Sequence, residues 1–555
     1  MSSREIDPNT SVDTSDCLLE PETFLLLGKH SSHVKLFLHR EKIECRAINA
    51  GKIKLGDIAV ADIIGSRSFG GNEASEDGKP PRPSGSSSGV KAGKKTASSS
   101  KPEFSENAAF LKIFAYQYNK RQEHGGVRCR LELLFVADNV GVEAKDNLAL
   151  VNRWRLVILA LINEVQFQKV EDLKEDDLPT PPHYLVCINP FSGKGKAPQI
   201  FEHKVKCMFD EAGITYKKVI TERKGHAREL AKMMDLEEFS GIIIVSGDGL
   251  LFEFINGFRE REDREKAFKV PFGMVPGGSG NALCVAVLSS RGEQCHKNIA
   301  VHAVMRIIKG KPHLKDLVNV RSKTMNAFSF LSIAWGIIAD IDIESERFRF
   351  LGETRFTIGS IIRIGFLRKP AGRLSFLEVE DPSRYNHLFQ KSPPPAPYPG
   401  SHGGNQNSNA CTEAGHVGVE VPGGNGAREE VELPKLSEPV PSNWTVLEGE
   451  FVGILIVYIS HISKDFVCHP CRPMDEGVIL VQYIDSTVGR RDLLSSMEKF
   501  KTGDYLRYDV TKTRVVRAFR LEPLNGNGIL TVDGERCEYG PIQGAVSSQK
   551  CYCIM

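Results

Sequence analysis

The stretch VSGDGLLFEFING at 245–257 holds a carboxylate, Asp248, between two glycines and directly after the apolar run IIIV at 242–245. Asp-Gly between apolar runs is a strong hairpin signal, and a hairpin requires a second strand of alternating polarity. Here Leu251, Phe254, Ile255 and Phe258 recur at i, i+3, i+4 and i+7, which is a helix face. The acid therefore stands at a strand-to-helix turn, beside backbone bare of Cβ. Two similar turns flank it: HYLVCI leads into NPFSGKGKA (189–197), and FGMV leads into PGGSGNA (276–282).

Glycine turns ahead of helices let the backbone approach a phosphate, and the free N–H groups and helix dipole there favour an anion. Lys194 and Lys196 add mobile positive charge. The first turn lacks Walker A spacing, and no acidic residue follows GGSGNA at the distance a dinucleotide fingerprint needs. Each turn alone is a weak signal. Three of them in adjacent strand–turn–helix units predict a phosphate-binding cleft at the carboxyl ends of a parallel sheet. An acid beside such a cleft suits phosphoryl transfer, where the protein mainly positions groups and a carboxylate orients or deprotonates the accepting hydroxyl. Asp248 is the candidate; as a mere turn former it would be replaceable by Asn without loss of activity.

The elements that must hold these turns fall into blocks. The chain has 555 residues, enough for several domains. Residues 1–19 and the Gly/Ser/Pro/Lys-rich stretch 70–103 are expected to be disordered. Strand-like runs on both sides of 70–103, followed by a helical pattern at 147–165, predict a small β-barrel of pleckstrin-homology type over 20–170. The α/β block spans 180–315. Antiparallel β is expected from 316 to 545, broken by a second disordered insert at about 381–442 and followed by a tail at 546–555.

Bulk properties narrow the partners. With 26% charged residues and a formal net charge of +2, nothing calls for nucleic acid. Many of the 13 cysteines sit in apolar runs, as reduced thiols do, and the apolar runs are too short to span a bilayer, so a cytoplasmic protein is expected. Cys468 and Cys471 have CxxC spacing without a second pair, a weak zinc signal. The terminal KCYCIM lacks the prenylation pattern but leaves palmitoylation of Cys551 or Cys553 open.

The motifs NPFSGKGKA, TERKGHARELA, SGDGLLFEFING and PGGSGNA, in this order and spacing, resemble the lipid kinases of the diacylglycerol-kinase superfamily. LSIAWGIIADIDIESERFRFLGETRFTIG (331–359) is similar to the sphingosine kinase branch, and the likeness covers about 180–380 and 443–545. It implies a nucleotide-binding α/β domain like that of NAD kinases, a C-terminal lipid-holding β-sandwich, and ATP with Mg2+ as cofactors. By the same resemblance the nucleotide is met by Asn189, Gly193, Lys194, Gly195, Lys196, Thr221, Ser246, Gly247, Gly278, Ser279, Gly280, Asn281, Asp533, Gly534 and Glu535. Arg349 and Arg355 match the arginines expected at its phosphates, a task that suits a guanidinium fork. Asp248 matches the catalytic base, with Mg2+ near it, and the lipid falls to Asp342, Ser332, Ile341, Glu346 and Phe356.

The lipid class follows from charge. Asp342 and Glu346 are four apart, on one side of a helix, and a carboxylate pair suits the ammonium of a sphingoid base, which ceramide and diacylglycerol lack. The bland alternative is that the pair balances Arg347 and Arg349. Ile341, Phe356, Ile358, Ile361 and Ile362 line a tail cavity or form plain core. FTIGSIIRIGFLRKPAGR (356–373), apolar with basic punctuation, is a membrane-surface or calmodulin-type pattern, so peripheral membrane contact is expected. Ceramide kinase is the runner-up, a non-catalytic lipid-binding scaffold the alternative of another class, and a homodimer is left open.

Overall fold

The computed structural model describes residues 16–28, 31–48, 56–71, 104–119, 126–278, 280–293, 297–351, 354–389, 430–469, 474–508 and 510–555, with side chains at all of these but 349–351, 354 and 498. The expected inserts are therefore only partly within the described residues; 72–103 and 390–429 lie outside them.

The first unit is a seven-stranded antiparallel sheet running from Glu22–Leu27 to Val127–Ala137, followed by the helix Ala144–Ile162. Alternation decides its inside: Phe24 and Leu26, Val34, Leu36 and Leu38, and Leu111 and Ile113 face a core that the helix completes with Val151, Trp154, Val157 and Ile158. The Trp154 ring meets the edge of Phe24 with centroids 5.5 Å apart.

A buried ionic knot fastens this sheet to the next unit. Arg128, wholly buried, donates to Glu293 at 3.0 Å and to Asp62 at 2.8 Å, while His302 at 2.6 Å and Arg306 at 2.8 Å also hold Glu293. Burial alone would push the Glu293 carboxyl up, but the His302 bond and the two guanidiniums hold it at about 2. A carboxyl held below its usual range stabilises the fold above that range and loses the contribution as pH falls toward 2. Removing one partner of a buried cluster weakens the rest, so Arg128→Ala should cost about 3 kcal/mol in denaturant unfolding at neutral pH and reduce, without removing, the further loss on acidification to pH 3, since His302 and Arg306 still hold Glu293.

The central sheet carries four parallel strands in the order Thr215–Ile220, His183–Ile188, Gly241–Ser246, Phe272–Pro276. Their side chains are continuous apolar runs because helices cover both faces. His226–Met233, Asp248–Arg259 and Ala282–Ser290 pack on one side through Ala227, Phe254 and Leu283. Lys206–Ala212 and Ile299–Lys309 cover the other through Met208, Val301 and Val304. The sheet continues into antiparallel strands, and the junction is the last strand, Ile542–Ile554, which pairs with Phe272–Pro276, Pro312–Ser322 and Lys512–Pro523. Residues 546–555, expected as a tail, are therefore an interior strand. Cys551 and Cys553 are 1% and 2% exposed there, which closes both to palmitoylation.

The second insert is also shorter than expected. Pro382–Phe389 forms a 3-10 turn, and Leu433 and Trp444 pack against Ala518 and Ala545. Arg520, nearly fully buried, donates to the carbonyls of Glu438 and Lys435, an anchoring that Pro/Gly content does not reveal. The long strands Thr445–Val457 and Lys512–Pro523 each pair with both Ala371–Glu378 and Ile479–Asp485, so four strands close a circuit around Leu374, Phe376, Ile454, Val481 and Phe519. No helix among the described residues is long and apolar enough to cross a membrane.

Candidate active site

The turns at the carboxyl ends of the parallel strands meet backbone to backbone. Gly193 sits at φ +55°, and a Cβ on it would lie 2.9 Å from the Gly278 carbonyl carbon. A Cβ on Gly278 would lie 2.5 Å from the Gly247 Cα, and one on Gly247 would lie 2.7 Å from the Gly280 oxygen. These glycines are required first by the packing of one loop on another, and all three border a shared cleft. Ser192 Oγ accepts from the Gly247 N–H at 3.0 Å, and the Asn281 side chain brackets Gly278, accepting from its N–H at 3.2 Å and donating to its carbonyl at 2.9 Å.

Asp248 is the first residue of the helix Asp248–Arg259, as the periodicity predicts. Its carboxylate also accepts from the N–H groups of Ala282 at 2.6 Å and Leu283 at 3.2 Å, so it caps the helix that follows the third glycine turn. Burial pushes its carboxyl up to about 6; the two N–H groups oppose that shift, and neighbouring Asp533 adds to it. A carboxyl tuned near neutral pH, fixed by two bonds and still holding free lone pairs, can take a proton from a hydroxyl.

Asp248 opens on a continuous cavity of about 860 Å3 that also contains Asp342, Glu346 and Arg355. The helix Ile337–Glu344 and the 3-10 turn after it present Asp342 and Glu346 to this space. Burial raises the Asp342 carboxyl to about 7, the Arg355 charge opposes this, and Glu346 reinforces it. A cationic neighbour of Asp342 is Arg355, at 3.8 Å; the Arg349 side chain lies outside the described residues. Arg355, 3% exposed, also donates to the Asp342 carbonyl and to Ser345 Oγ at 3.1 Å. Asp340, two residues earlier, turns away to Arg368 at 2.6 Å.

Of the residues expected at the nucleotide, Asn189, Gly193, Thr221, Ser246, Gly247, Gly278, Gly280, Arg355, Asp533, Gly534 and Glu535 line this one cavity. Lys194, Gly195, Lys196 and Asn281 do not; both lysines point outward, and Asn281 serves Gly278. Ser279 and the Arg349 side chain lie outside the described residues. Asp533, at φ +50°, spends its carboxylate on the Ser329 hydroxyl and the N–H groups of Phe330, Leu331 and Ser332 at 2.6–3.0 Å. It thereby ties the Asp-Gly-Glu turn to the strand leading to Asp342. Ser332, Ile341 and Phe356 line the cavity, but Ile358, Ile361 and Ile362 do not, and Ile361 is 56% exposed. Within the helix Thr354–Gly365 the lining falls to Arg355, Phe356, Thr357, Ser360 and Ile364, one face of the helix with Phe356, Ser360 and Ile364 at i, i+4 and i+8.

Sequence reading missed Arg223, Lys224 and Arg228, which enter the cavity beside Glu535; Lys224 lies 3.3 Å from that carboxylate. It also missed the far wall, with Leu455, Phe466, Leu493, Met497 and Phe500. The basic run TERKGHAR was a visible signal for the first group; the second comes from ordinary strands and a helix.

The diacylglycerol kinase catalytic domain model matches residues 183–320. Human sphingosine kinase 2 is 32% identical, with 79% of this chain and 80% of that protein covered. Mouse sphingosine kinase 1 is 34% identical over 66% of this chain and 90% of its own length. Among solved structures, a diacylglycerol kinase from Bacillus anthracis str. Sterne aligns with a TM-score of 0.39 at 13% identity, covering 68% of this chain and 98% of that one.

Proposed function

The chain belongs to the sphingosine kinases, lipid kinases that phosphorylate sphingoid bases, and we propose that the cavity at Asp248 holds ATP and the base end to end with Asp248 at the point of transfer. The observation carrying this reading is that Asp248 and Asp342 face the same space, glycine turns bounding it on one side and apolar side chains on the other.

ATP phosphates rest against the glycine turns and the start of the helix Asp248–Arg259, with Thr221 and Glu535 at the nucleotide and Arg355 toward the phosphates; Arg349, whose side chain lies outside the described residues, is assigned to the phosphates by the family resemblance alone. The ammonium of the base sits at Asp342 and Glu346. Its primary hydroxyl gives its proton to Asp248 as the oxygen bonds to the γ-phosphorus, yielding sphingosine 1-phosphate and ADP. No cluster of three or more metal-ligating side chains occurs among the described residues. Asp248 and Glu535 are the carboxylates that would share Mg2+, whose charge offsets that of the phosphates.

The surrounding units fit the same task. The seven-stranded sheet with its closing helix supports a pleckstrin-like domain over 20–170, and the four-strand circuit supports a C-terminal β-sandwich. Ile361 and Phe366, 56% and 76% exposed, lie on and just beyond the helix whose inner face lines the cavity. This apolar patch supports a cytoplasmic protein that leans on a membrane to collect its lipid, with a calmodulin-type partner competing for the same segment.

Sphingosine and ceramide presented together with labelled ATP test the reading. Label is expected in sphingosine; label confined to ceramide would refute the role of Asp342.

A further inference from the structure

The N–H groups that fix Asp248 belong to the first turn of the helix Ala282–Ser290, so the place of the carboxylate depends on the place of that helix. Its sequence, ALCVAVLSS, carries no charged or long polar side chain, and Ala282, Leu283, Cys284, Ala286, Val287 and Leu288 are buried. Apolar contacts are non-directional and do little to stop a helix from sliding along its own axis. A small cavity lined by Leu283, Cys284, Val287 and Leu288 lies against it, so packing is incomplete on that side. What holds the ends of the helix therefore decides where it sits.

Its carboxyl end closes in a Schellman turn: Gly292, at φ +72°, donates to the Ser289 carbonyl at 2.9 Å, and the Glu293 N–H donates to the Leu288 carbonyl at 3.0 Å. Glu293 is thereby locked to the last turn of the helix. Its buried carboxylate is the centre of the ionic knot, held by Arg128 from the N-terminal sheet at 3.0 Å and by His302 and Arg306 from the helix Ile299–Lys309. Arg291 adds a tie to His313 at 2.6 Å. From the knot to Asp248 the path is one helix of nine residues, roughly 13 Å long at 1.5 Å per residue. The N-terminal sheet has a second buried anchor, where Glu211 of the helix Lys206–Ala212 accepts from Arg130 at 2.6 Å and from the Tyr116 hydroxyl at 2.8 Å. That helix lies on the opposite face of the parallel sheet, and none of its residues lines the cavity.

We propose that Arg128 and Glu293 are positioning residues for the transfer step: through the helix Ala282–Ser290 they hold Asp248 in place, which makes the N-terminal sheet part of the catalytic apparatus. A displacement of about 1 Å at a reacting group costs about a hundredfold in rate, so a small slide of the helix is enough to matter. This rests on Asp248 being the base.

The test cuts the two anchors separately in the full chain. Arg128→Met and Glu211→Gln are compared with wild type and Asp248→Asn at a temperature where circular dichroism shows each to be folded. Arg128→Met is expected to lower kcat about tenfold with KM for ATP and sphingosine little changed, and Arg128→Lys to recover part of that loss. Glu293→Gln, which keeps the shape of the side chain, is expected to lower kcat in the same way, so the outcome does not hang on one variant. Glu211→Gln is expected to lower the melting temperature and leave kcat at the wild-type value. The same kcat in Arg128→Met, Glu293→Gln and Glu211→Gln, whether unchanged or equally reduced, would overturn the positioning role. If Asp248→Asn turned over as fast as wild type, the base itself would be misassigned and the positioning role would fall with it.

Discussion

Replacing Asp248 with Asn is expected to lower kcat for sphingosine about a thousandfold, the range lost when a positioned general base is removed. The amide cannot accept the hydroxyl proton. The same change should also loosen the fold, for a structural reason: both carboxylate oxygens accept N–H groups of the helix Ala282–Ser290, and an asparagine can satisfy only one while aiming its NH2 at the other. The expected cost is about 1–2 kcal/mol, read from denaturant unfolding. The two effects separate because sphingosine and ATP should still bind the folded variant. If Asp248 only formed the turn, kcat would stay near wild type.

The second large effect belongs to Asp342. Asp342→Asn should raise KM for sphingosine about thirtyfold, because a hydrogen bond to a charged group is worth about 2 kcal/mol. The pH profile sharpens the assignment. Both carboxylates must be ionised, one to hold the ammonium and one to take the proton, and burial places them at about 7 for Asp342 and about 6 for Asp248. Activity as kcat/KM should therefore fall as pH drops through 7 and fall more steeply below 6, each lost charge removing its share. In Asp342→Asn only the lower ionisation should remain. A profile unchanged by that substitution would place the upper ionisation elsewhere.

Much of the catalytic end was legible in the sequence because its signals are local. Asp248, the three glycine turns and the helix after SGDG follow from spacing within a dozen residues, and apolar runs without alternation marked a sheet covered on both faces. What could not be read depends on meetings between distant segments. Gly193, Gly247 and Gly278 are demanded by one another's backbones, contacts spanning some 85 residues, as well as by a ligand. The 546–555 stretch looked like a tail because AVSSQKCYCIM alternates weakly, yet strands on either side make it an interior one. Composition set the bounds of the second insert too wide, since Arg520 binds carbonyls of a Pro-rich segment and carbonyls leave no mark in a sequence. The tail wall escaped for the same reason: Gln482 looks like any polar strand residue until the register sets it beside Leu455.

The central claim is that one cavity presents Asp342 to the ammonium while Asp248 takes the hydroxyl proton. The measurement that reaches it most directly compares kcat/KM for sphingosine and for its N-acetylated form, in wild type and in Asp342→Asn. Acetylation removes the positive charge and leaves the hydroxyl in place. The account predicts a loss of about thirtyfold on acetylation in wild type and little further loss in the variant; equal losses in both proteins would contradict it.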